Sequence, residues 1–494
     1  MMHGAEKSDR PIVPAKSANN AEQSAAEPME GRGGAKGNAG PQSTVRTQSR
    51  EAVSQAQARI REAVNRNRTE RLTALFHHLG IDVLRAAFLT LKKRAAAGVD
   101  EMTWADYEKD LEPRLRDLHG RLHRGAYRAL PSRRVYIPKA DGSQRPLGIA
   151  AIEDKIVQAA VVMILTPVYE AEFLGFSYGF RPGRGQHDAL DALAYGIKSR
   201  NVRWILDADI RSFYDTLSHE WLIRFVEHRI ADKRIVRLIA KWLKAGILER
   251  DARTETHEGT PQGAVISPLL ANIYLHYVFD LWAEAWRRRH ATGDMIIVRY
   301  ADDTVVGFQS QGDAVAFLRD LKARLATFAL NLSEEKTRLI AFGRFVAERR
   351  KLRGEGRPAT FDFLGFTHIC GSKRNGKGFQ LRRKTKRKRK WAFVSRIAEN
   401  LSRIRHAPID EQGRWLASVL RGFYNYFAVP TNIGSVRAVR HLVKVRWYLS
   451  LLRRSQRGRR LTWRRMNAIV EKWLPMPGVM HPWPEQRFLV KHRR

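Results

Sequence analysis

The sequence Ile296-Ile297-Val298-Arg299-Tyr300-Ala301-Asp302-Asp303-Thr304-Val305-Val306-Gly307-Phe308 is the most informative part of this chain. Two apolar runs of strand-forming residues flank one short polar segment, which predicts two β-strands joined by a tight turn. Burying two adjacent aspartates without partners is costly, so we expect Asp302 and Asp303 at the exposed tip of the hairpin. Aspartates that only form the turn would explain the same pattern, so a functional interpretation needs a second signal.

That second signal is another acid in an apolar strand. The segment Trp204-Ile205-Leu206-Asp207-Ala208-Asp209-Ile210 is typical of a buried strand, where carboxylates are uncommon unless they are paired or bind metal. If both strand systems belong to one sheet, Asp209 and Asp302 face each other. Such acids can hold two Mg²⁺ ions, roughly 3.5 to 4 Å apart, for phosphoryl transfer. Asp207 and Asp215 are interpreted as structural or turn acids.

Composition limits the class of protein. The 494 residues carry 89 Lys and Arg against 50 Asp and Glu, a formal charge of +39, and 44% are apolar, which is enough for real cores. The apolar stretch 156–169 is too short for a bilayer span, so no membrane partner is expected. The single cysteine, Cys370, excludes a disulfide scaffold and fits a cytoplasmic location. A polyanion, with nucleic acid as first choice, is the expected partner.

The chain divides by composition into four parts. Residues 1–48 are rich in small and polar residues and are predicted to be a disordered tail. Apolar residues at four-residue intervals predict a helical extension over 49–117. Residues 118–366 mix predicted strands and helices, and 375–494 are helical and basic. The fold class predicted is α+β.

A series of further motifs resembles one known family. The four residues at 300–303 match the catalytic box of reverse transcriptases, and 209–215 resembles their first catalytic box. Among reverse transcriptases, the motifs and their order resemble the bacterial group II intron-encoded proteins over about residues 45–494. The resemblance implies a right-hand polymerase with fingers and palm around an antiparallel catalytic sheet, followed by a helical thumb and maturase domain. The other motifs, in chain order, are Arg145-Pro146-Leu147-Gly148-Ile149, Phe180-Arg181-Pro182-Gly183-Arg184-Gly185, Gly259-Thr260-Pro261-Gln262-Gly263, Leu330-Asn331-Leu332-Ser333 with Lys336, and Phe363-Leu364-Gly365-Phe366.

The resemblance also implies roles for individual residues. Asp209, Asp302 and Asp303 would be the catalytic carboxylates that hold two Mg²⁺ ions. Tyr214 would act as a gate against the 2′-hydroxyl of the nucleotide, with a core aromatic residue beside Phe213 as the alternative. Lys139, Arg145 and Lys336 would bind the deoxynucleoside triphosphate, with ordinary solvated charges as the alternative. Gln262 would contact the nucleotide or the primer–template, with a plain loop as the alternative. Arg181 and Arg184 would bind template phosphates.

The basic C-terminal third predicts RNA binding. Residues 373–390 contain eleven Lys or Arg and no acid, and like charges at helical spacing repel unless a polyanion neutralises them. Arg387, Lys388, Arg389 and Lys390 are therefore candidate RNA-binding residues. Downstream aromatics are expected to be divided about equally between core positions and stacking on RNA bases.

The predicted function is RNA-directed DNA synthesis by a group II intron protein that also binds intron RNA and assists its splicing and mobility. Its partners would be the intron RNA, a DNA target and primer, and deoxynucleoside triphosphates. Two alternatives stay open: the polymerase of another bacterial retroelement, and a non-enzymatic RNA-binding splicing factor. With one cysteine, the chain is expected to lack the paired-cysteine endonuclease module that some relatives carry.

Overall fold

The computed structural model describes residues 41–67, 70–138, 144–249, 252–254, 258–373, 375–376, 378–456 and 460–491. Most of the predicted disordered tail, residues 1–40, lies outside this range. The first helix begins at Pro41, so residues 41–48 do not follow that prediction. Val45 is the one large aliphatic residue among them, so the sequence has no apolar periodicity there that would indicate a helix.

The strands fall into three sheets. In chain order they are β1 (Ser132–Pro138), β2 (Gln144–Ile149), β3 (Trp204–Ala208), β4 (Ile247–Glu249), β5 (Ala252–Thr254), β6 (Met295–Tyr300), β7 (Asp303–Phe308), β8 (Arg338–Ala341), β9 (Phe361–Phe363), β10 (Phe366–Ser372) and β11 (Phe379–Thr385). The central sheet has the order β6-β7-β3-β8 and is antiparallel throughout. The other two have the orders β2-β1-β4-β5 and β11-β10-β9.

Helices surround the sheets and form most of the C-terminal part. Before the central hairpin they are α1 (Pro41–Arg66), α2 (Ile81–Thr90), α3 (Trp104–Lys109), α4 (Leu111–His123), α5 (Ile152–Glu170), α6 (Gln186–Ser199), α7 (His219–Arg229), α8 (Lys233–Lys244), α9 (Ser267–Leu275) and α10 (Leu281–His290). After it they are α11 (Gln311–Thr327), α12 (Arg344–Leu352), α13 (Arg387–Arg403), α14 (Ile409–Phe427), α15 (Ile433–Leu452), α16 (Trp463–Trp473) and α17 (Pro484–Lys491). The α+β prediction is confirmed.

The central sheet is buried because its strands are apolar on both faces. Strand β6 is buried from Met295 to Arg299, and β7 is buried from Thr304 to Phe308. Helices α6 and α11 pack against this sheet. The carboxyl end of β3 and the turn between β6 and β7 therefore form one edge of a rigid, packed layer, which is the position that a precise site requires.

The helical extension predicted over 49–117 consists of several helices. Helix α2 ends at Thr90, and α3 and α4 meet at Asp110, whose backbone leaves helical geometry. Further along the chain, Ser267 is the first residue of α9, and its hydroxyl group contacts the Thr260 hydroxyl at 2.6 Å. Among the described residues, no helix has both the length and the apolar character needed to span a bilayer.

Candidate active site

Strand pairing brings the three candidate acids to the same end of the central sheet. Antiparallel β3 and β7 pair Ala208 with Thr304, so Asp209 and Asp303, the next residue on each strand, lie opposite one another. Asp303 also pairs with Tyr300 across the hairpin, which leaves Ala301 and Asp302 as the two-residue turn. The structure thus unites acids that are far apart in sequence.

The electrostatics of this edge favour a cation. Desolvation by the surrounding protein and the nearby carboxylates of Asp302, Asp209 and Asp207 raise the pKa of Asp303 to about 7. Asp303 is exposed to solvent, and its carboxyl group lies near the carboxyl groups of Asp302, Asp209 and Asp207. Burial likewise raises the pKa of Asp207 to about 6, although Arg338 opposes the shift. Asp207 therefore lies near the acidic cluster of Asp209, Asp302 and Asp303, and its ion pair with Arg338 at 3.5 Å is compatible with the structural role predicted for it.

Asp209 is held in place by the segment that follows α11. Its backbone carbonyl accepts a hydrogen bond from the Ser333 amide at 2.8 Å, and its side chain accepts one from the Lys336 ammonium group at 3.1 Å. Lys336 is otherwise exposed. The predicted nucleotide-binding lysine thus lies directly beside a candidate catalytic acid.

A buried guanidinium group supports the turn from beneath. Arg299 and Asp280 are both 0% exposed in their side chains and form a two-pronged ion pair, with N–O distances of 2.7 and 2.6 Å. The same guanidinium group donates to the carbonyl of Ala301 at 2.8 Å and to the Asn272 side chain at 3.1 Å. The main chain of the turn is therefore tied to a fully paired buried charge.

This support was not identified from the sequence. A single arginine inside the apolar run 295–300 was the available signal, because charged residues are almost never fully buried unless they are paired. Its partner, Asp280, lies in a π-helical turn at 276–280, between α9 and α10. Sequence separation alone does not reveal that pairing.

The backbone of the turn is unusual and closely packed. Ala301 has a φ of +56°, in the left-handed region that disfavours side chains larger than glycine. Gly179 lies against it so closely that a Cβ atom there would be 2.3 Å from the Ala301 amide nitrogen. The glycine at 179 lets a neighbouring segment brace the turn from the other side, and its carbonyl accepts from Asn272 at 2.7 Å.

The loop 259–263 connects the site to the first catalytic box. Tyr214 is half-buried, with its ring edge-on to Phe213 at 5.4 Å, and its carbonyl accepts from the Thr260 amide at 2.7 Å. The Gln262 carbonyl accepts from the Gly148 amide at 2.7 Å. The Gln262 side chain lies 3.4 Å from Asp215. Tyr214 and Gln262 therefore belong to one connected segment beside Asp209.

Four basic residues were also predicted to contact the nucleotide or the template, and the structure describes them to different extents. Lys139 lies outside the described residues, and of Arg145 only the backbone is described, in β2 opposite Ile137. Arg181 is buried, with its guanidinium group bound to Glu170 at 2.8 and 2.9 Å. Arg184 is half-buried and donates to the Gly175 carbonyl at 2.6 Å. This geometry argues against a phosphate contact by Arg181, because its donors are already used inside the protein.

Lys386, which directly precedes the basic residues 387–390, lies near the end of the central sheet that carries the acids. Leu364 and Gly365 form the left-handed turn between β9 and β10, with φ values of +46° and +80°, and the Gly365 carbonyl accepts from the Lys386 amide at 3.0 Å. The Tyr426 hydroxyl donates to the Leu364 carbonyl at 2.8 Å. Burial raises the pKa of Tyr426 to about 12, and the nearby Asp303 charge adds to the shift. Helix α14 therefore ends near the acidic cluster.

The donor set suits magnesium. Carboxylate oxygens are the hard ligands that Mg²⁺ prefers, and their mutual repulsion, visible in the raised pKa of Asp303, is relieved by a cation. In the described part of the chain, no three His, Cys, Asp or Glu side chains are already arranged as a cluster that could hold an ion alone. Enzymes of phosphoryl transfer complete such sites with substrate phosphates and water.

Comparison with known protein families gives the class of this chain, reverse transcriptase. The sequence profile described as "Reverse transcriptase (RNA-dependent DNA polymerase)" matches residues 137–368. This range contains all three acids, the loop 259–263 and Lys336.

The relatives narrow the class further. Protein YkfC of Escherichia coli is 34% identical over 316 residues, which cover 55% of this chain and 82% of YkfC. The group II intron-encoded protein LtrA of Lactococcus lactis is 35% identical over 223 residues, 44% of this chain and 37% of LtrA. The mitochondrial nuclear intron maturase 3 of Arabidopsis thaliana is 30% identical over 122 residues, 24% and 17% of the two chains. The chain belongs to the group II intron reverse transcriptases and maturases, and the predicted family is confirmed. It covers 37% of LtrA and 17% of the Arabidopsis maturase, so a function in splicing and mobility is a proposal for this chain.

Proposed function

We propose that this chain copies RNA into DNA at the edge of the central sheet where Asp209, Asp302 and Asp303 meet. The register of β3 with β7 carries the proposal, because it sets Asp209 opposite Asp303 on a buried, rigid layer. Membership of the reverse transcriptase family supports the same reaction.

Two Mg²⁺ ions would be held by these three carboxylates, with Asp207 beside them. When bound, such ions lower the pKa of the primer 3′-hydroxyl group and neutralise the pyrophosphate that leaves. The chain's own part is positioning: Arg299 holds the carbonyl of Ala301, and Lys336 holds Asp209. The exposed ammonium group of Lys336 is within reach of a triphosphate bound at the same edge.

Nucleotide selection would fall to the segment that contains Tyr214. Its half-buried ring is held edge-on to Phe213, five residues after Asp209 in the chain, and would act as a steric gate against a 2′-hydroxyl group that favours deoxynucleotides. Gln262 would contact the nucleotide or the primer–template pair from the adjoining loop. Lys139 and Arg145, at the β1–β2 turn, would bind the triphosphate, Arg as a fork and Lys as a point charge.

The RNA-binding function would lie mainly in the C-terminal part. Arg387, Lys388 and Arg389 are exposed on the first turn of α13, where no acid balances them. In this division, residues 118–366 form the fingers and palm, 375–494 the thumb and maturase domain, and 49–117 a helical extension. Partners would be the group II intron RNA, a DNA target and primer, and deoxynucleoside triphosphates, with Arg184 as the remaining candidate for a template contact.

The experiment is primer extension on an RNA template by Asp302→Asn. Loss of one metal-binding carboxylate removes several kcal/mol of transition-state stabilisation, so we expect extension to fall by on the order of a thousandfold. RNA binding should persist, because the substitution leaves the basic surfaces intact. The matched control is Asp117→Asn, at an exposed acid of α4 that pairs with Arg121.

Three outcomes would contradict the proposal. Wild-type rates in Asp302→Asn would remove the carboxylate from the reaction. A wild-type protein that binds and splices intron RNA without extending any primer would favour the non-enzymatic splicing factor. Extension without any effect on intron splicing would favour a polymerase from another retroelement.

A further inference from the structure

The tryptophans of the C-terminal part differ in exposure. Trp447 of α15 is 0% exposed and donates its indole N–H to the Gln412 side chain at 2.9 Å, so it belongs to the core. Trp463, the first residue of α16, is 45% exposed. Its position is fixed by Thr462, whose hydroxyl group caps the helix by accepting from the Arg465 amide. An exposed large aromatic ring on a well-anchored helix start needs an explanation.

The indole of Trp463 rests on α15 by one face. The Tyr448 ring is stacked on it, with centroids 3.9 Å apart and planes 26° from parallel. The Tyr448 hydroxyl donates to the Leu461 carbonyl at 3.0 Å, which holds the tyrosine in place. Lys444 has its ammonium group 5.3 Å from the indole centroid. Lys444 and Tyr448 are one turn apart on α15 and share a helix face. Because Tyr448 covers one face of the indole and Trp463 is still 45% exposed, we infer that the opposite face is open to solvent.

The positive charges near the Trp463 ring favour an anionic ligand. Between Glu411 and Glu471 the sequence has thirteen Lys or Arg and no acid. Arg460, Arg464 and Arg465 are exposed close to Trp463 along the chain. A flat, rigid π-surface among cations without counter-charges is the arrangement that single-stranded nucleic acid requires, since bases stack on aromatic rings and phosphates bind the cations. A neutral apolar partner would leave those cations uncompensated.

We propose that the open face of Trp463 is a stacking site for an unpaired base of single-stranded RNA, with Lys444, Arg464 and Arg465 facing the flanking phosphates. Tyr448 acts as a positioning residue that holds the indole flat. The site rests on the proposed RNA-binding function of the C-terminal helices, and it adds to that function a preference for unpaired over paired RNA.

The test compares variants of the full chain on two probes, a single-stranded oligoadenylate and a duplex RNA of the same length. Trp463→Ala removes the ring, and Trp463→Phe keeps a smaller one. The matched control is Trp483→Ala, at a tryptophan that is 43% exposed. Arg464→Gln removes a charge beside the ring. A 2-aminopurine base in the single-stranded probe reports stacking by quenching of its fluorescence in the wild-type protein, without any substitution.

We expect Trp463→Ala to weaken binding of the oligoadenylate by about tenfold, within the range that loss of one base–aromatic stack gives, and to leave duplex binding unchanged. Trp463→Phe should recover most of the affinity, and Trp483→Ala should match the wild-type protein. The salt dependence should stay constant in Trp463→Ala and become shallower in Arg464→Gln, because only the latter changes a phosphate contact.

Three results would overturn the proposal. These are equal weakening of both probes by Trp463→Ala, no weakening of either, and no quenching of 2-aminopurine in the wild-type complex. The second result would instead favour a protein partner for the exposed ring. A wild-type protein that binds neither probe would contradict the RNA-binding function itself. Salt-dependent RNA binding that is the same in the wild-type protein and in Trp463→Ala would contradict only the stacking site.

Discussion

At the scale of single residues, the acids of the site depend on a charge that no solvent reaches. The Arg299 guanidinium group links Asp280 to the carbonyl of Ala301. The turn that carries Asp302 is therefore held by the hydrogen bonds of a buried arginine side chain and not by its own residues alone. Lysine keeps the charge but lacks the fork. We expect Arg299→Lys to lower kcat of primer extension by roughly a hundredfold, because ångström-scale misplacement of a catalytic group costs about that much.

Steady-state kinetics with varied nucleotide concentration measure this prediction. A positioning role changes kcat and leaves KM for the nucleotide nearly constant, whereas general destabilisation reduces the active fraction and thermal stability together. Arg324→Lys is the matched control, since Arg324 donates to the Tyr277 and Val278 carbonyls at 3.0 and 3.1 Å without touching the turn. Equal losses in both variants would contradict the assigned role of Arg299.

Single residues also show where reasoning from the sequence ends. The exposed turn acids were predicted from the cost of burying charge; the structure has Asp302 in the turn and Asp303 as the first, exposed residue of β7. Arg181 was assigned to phosphates because its segment resembles a template-binding motif. The structure pairs it with Glu170, eleven residues earlier, and the burial of such a pair depends on tertiary packing that local sequence does not encode.

At the scale of elements, α13 begins under electrostatic strain. Its first turn contains four consecutive cations, although the amino end of a helix dipole is positive and favours acids. Arg387, Lys388 and Arg389 are exposed there. A bound polyanion would relieve this repulsion, so we expect the triple change of these residues to Gln to weaken the salt dependence of RNA binding. The slope of log K against log salt should become shallower by about 2, because each phosphate that the protein neutralises contributes about 0.7 to 0.9 to it.

Binding titrations at several salt concentrations give this slope. The control is the triple change of Lys233, Arg237 and Lys244 to Gln, which removes the same charge from exposed positions of α8. A slope that changes equally in both proteins would mean that net charge alone governs RNA binding. An unchanged slope in the α13 variant would mean that these three cations are ordinary solvated surface residues that do not contact RNA phosphates.

Elements differ in how far the sequence predicts them. The hairpin β6–β7 follows from local alternation of apolar runs and a turn, and α5 follows from a continuous apolar helix pattern over 152–170. The pairing of β3 with β7 joins segments about a hundred residues apart. Sequence patterns predicted each strand, but only the compatibility of whole faces in three dimensions decides which strands become neighbours.

At the scale of the whole molecule, the C-terminal helices and the central sheet form one connected structure. Asp191 of α6 is buried and accepts from Arg383 of β11 at 3.1 Å and from Arg487 of α17. Helix α17 packs along α6, which in turn contacts β6. A charge network thus joins α6, which contacts the central sheet, to β11 and to the last described helix. The C-terminal helices, which we propose bind RNA, and the sheet that carries the acids therefore share one framework.

Within this framework, one buried histidine makes stability depend on pH. His368 of β10 is 0% exposed, is stacked on Phe361 at 4.7 Å, and is paired in register with Arg383. Burial, and then the charge of Arg383, lower the pKa of His368 to about 3, although Asp362 opposes the shift. The ordinary histidine pKa is 6.5, so between pH 6.5 and 3 the unfolded chain takes up a proton that the folded protein refuses. This contribution to stability is therefore complete above pH 6.5 and is lost as the pH falls.

The wild-type protein should thus lose about 1 kcal/mol of unfolding free energy through His368 between pH 7.5 and 5.5. His368→Phe keeps the ring stacked on Phe361 and removes the titration, so its stability should fall less steeply over the same interval, whatever its absolute value. The exposed His441 provides the control through His441→Gln. Urea unfolding at each pH measures the difference, and parallel pH curves for wild type and His368→Phe would show that the buried histidine does not couple protonation to folding.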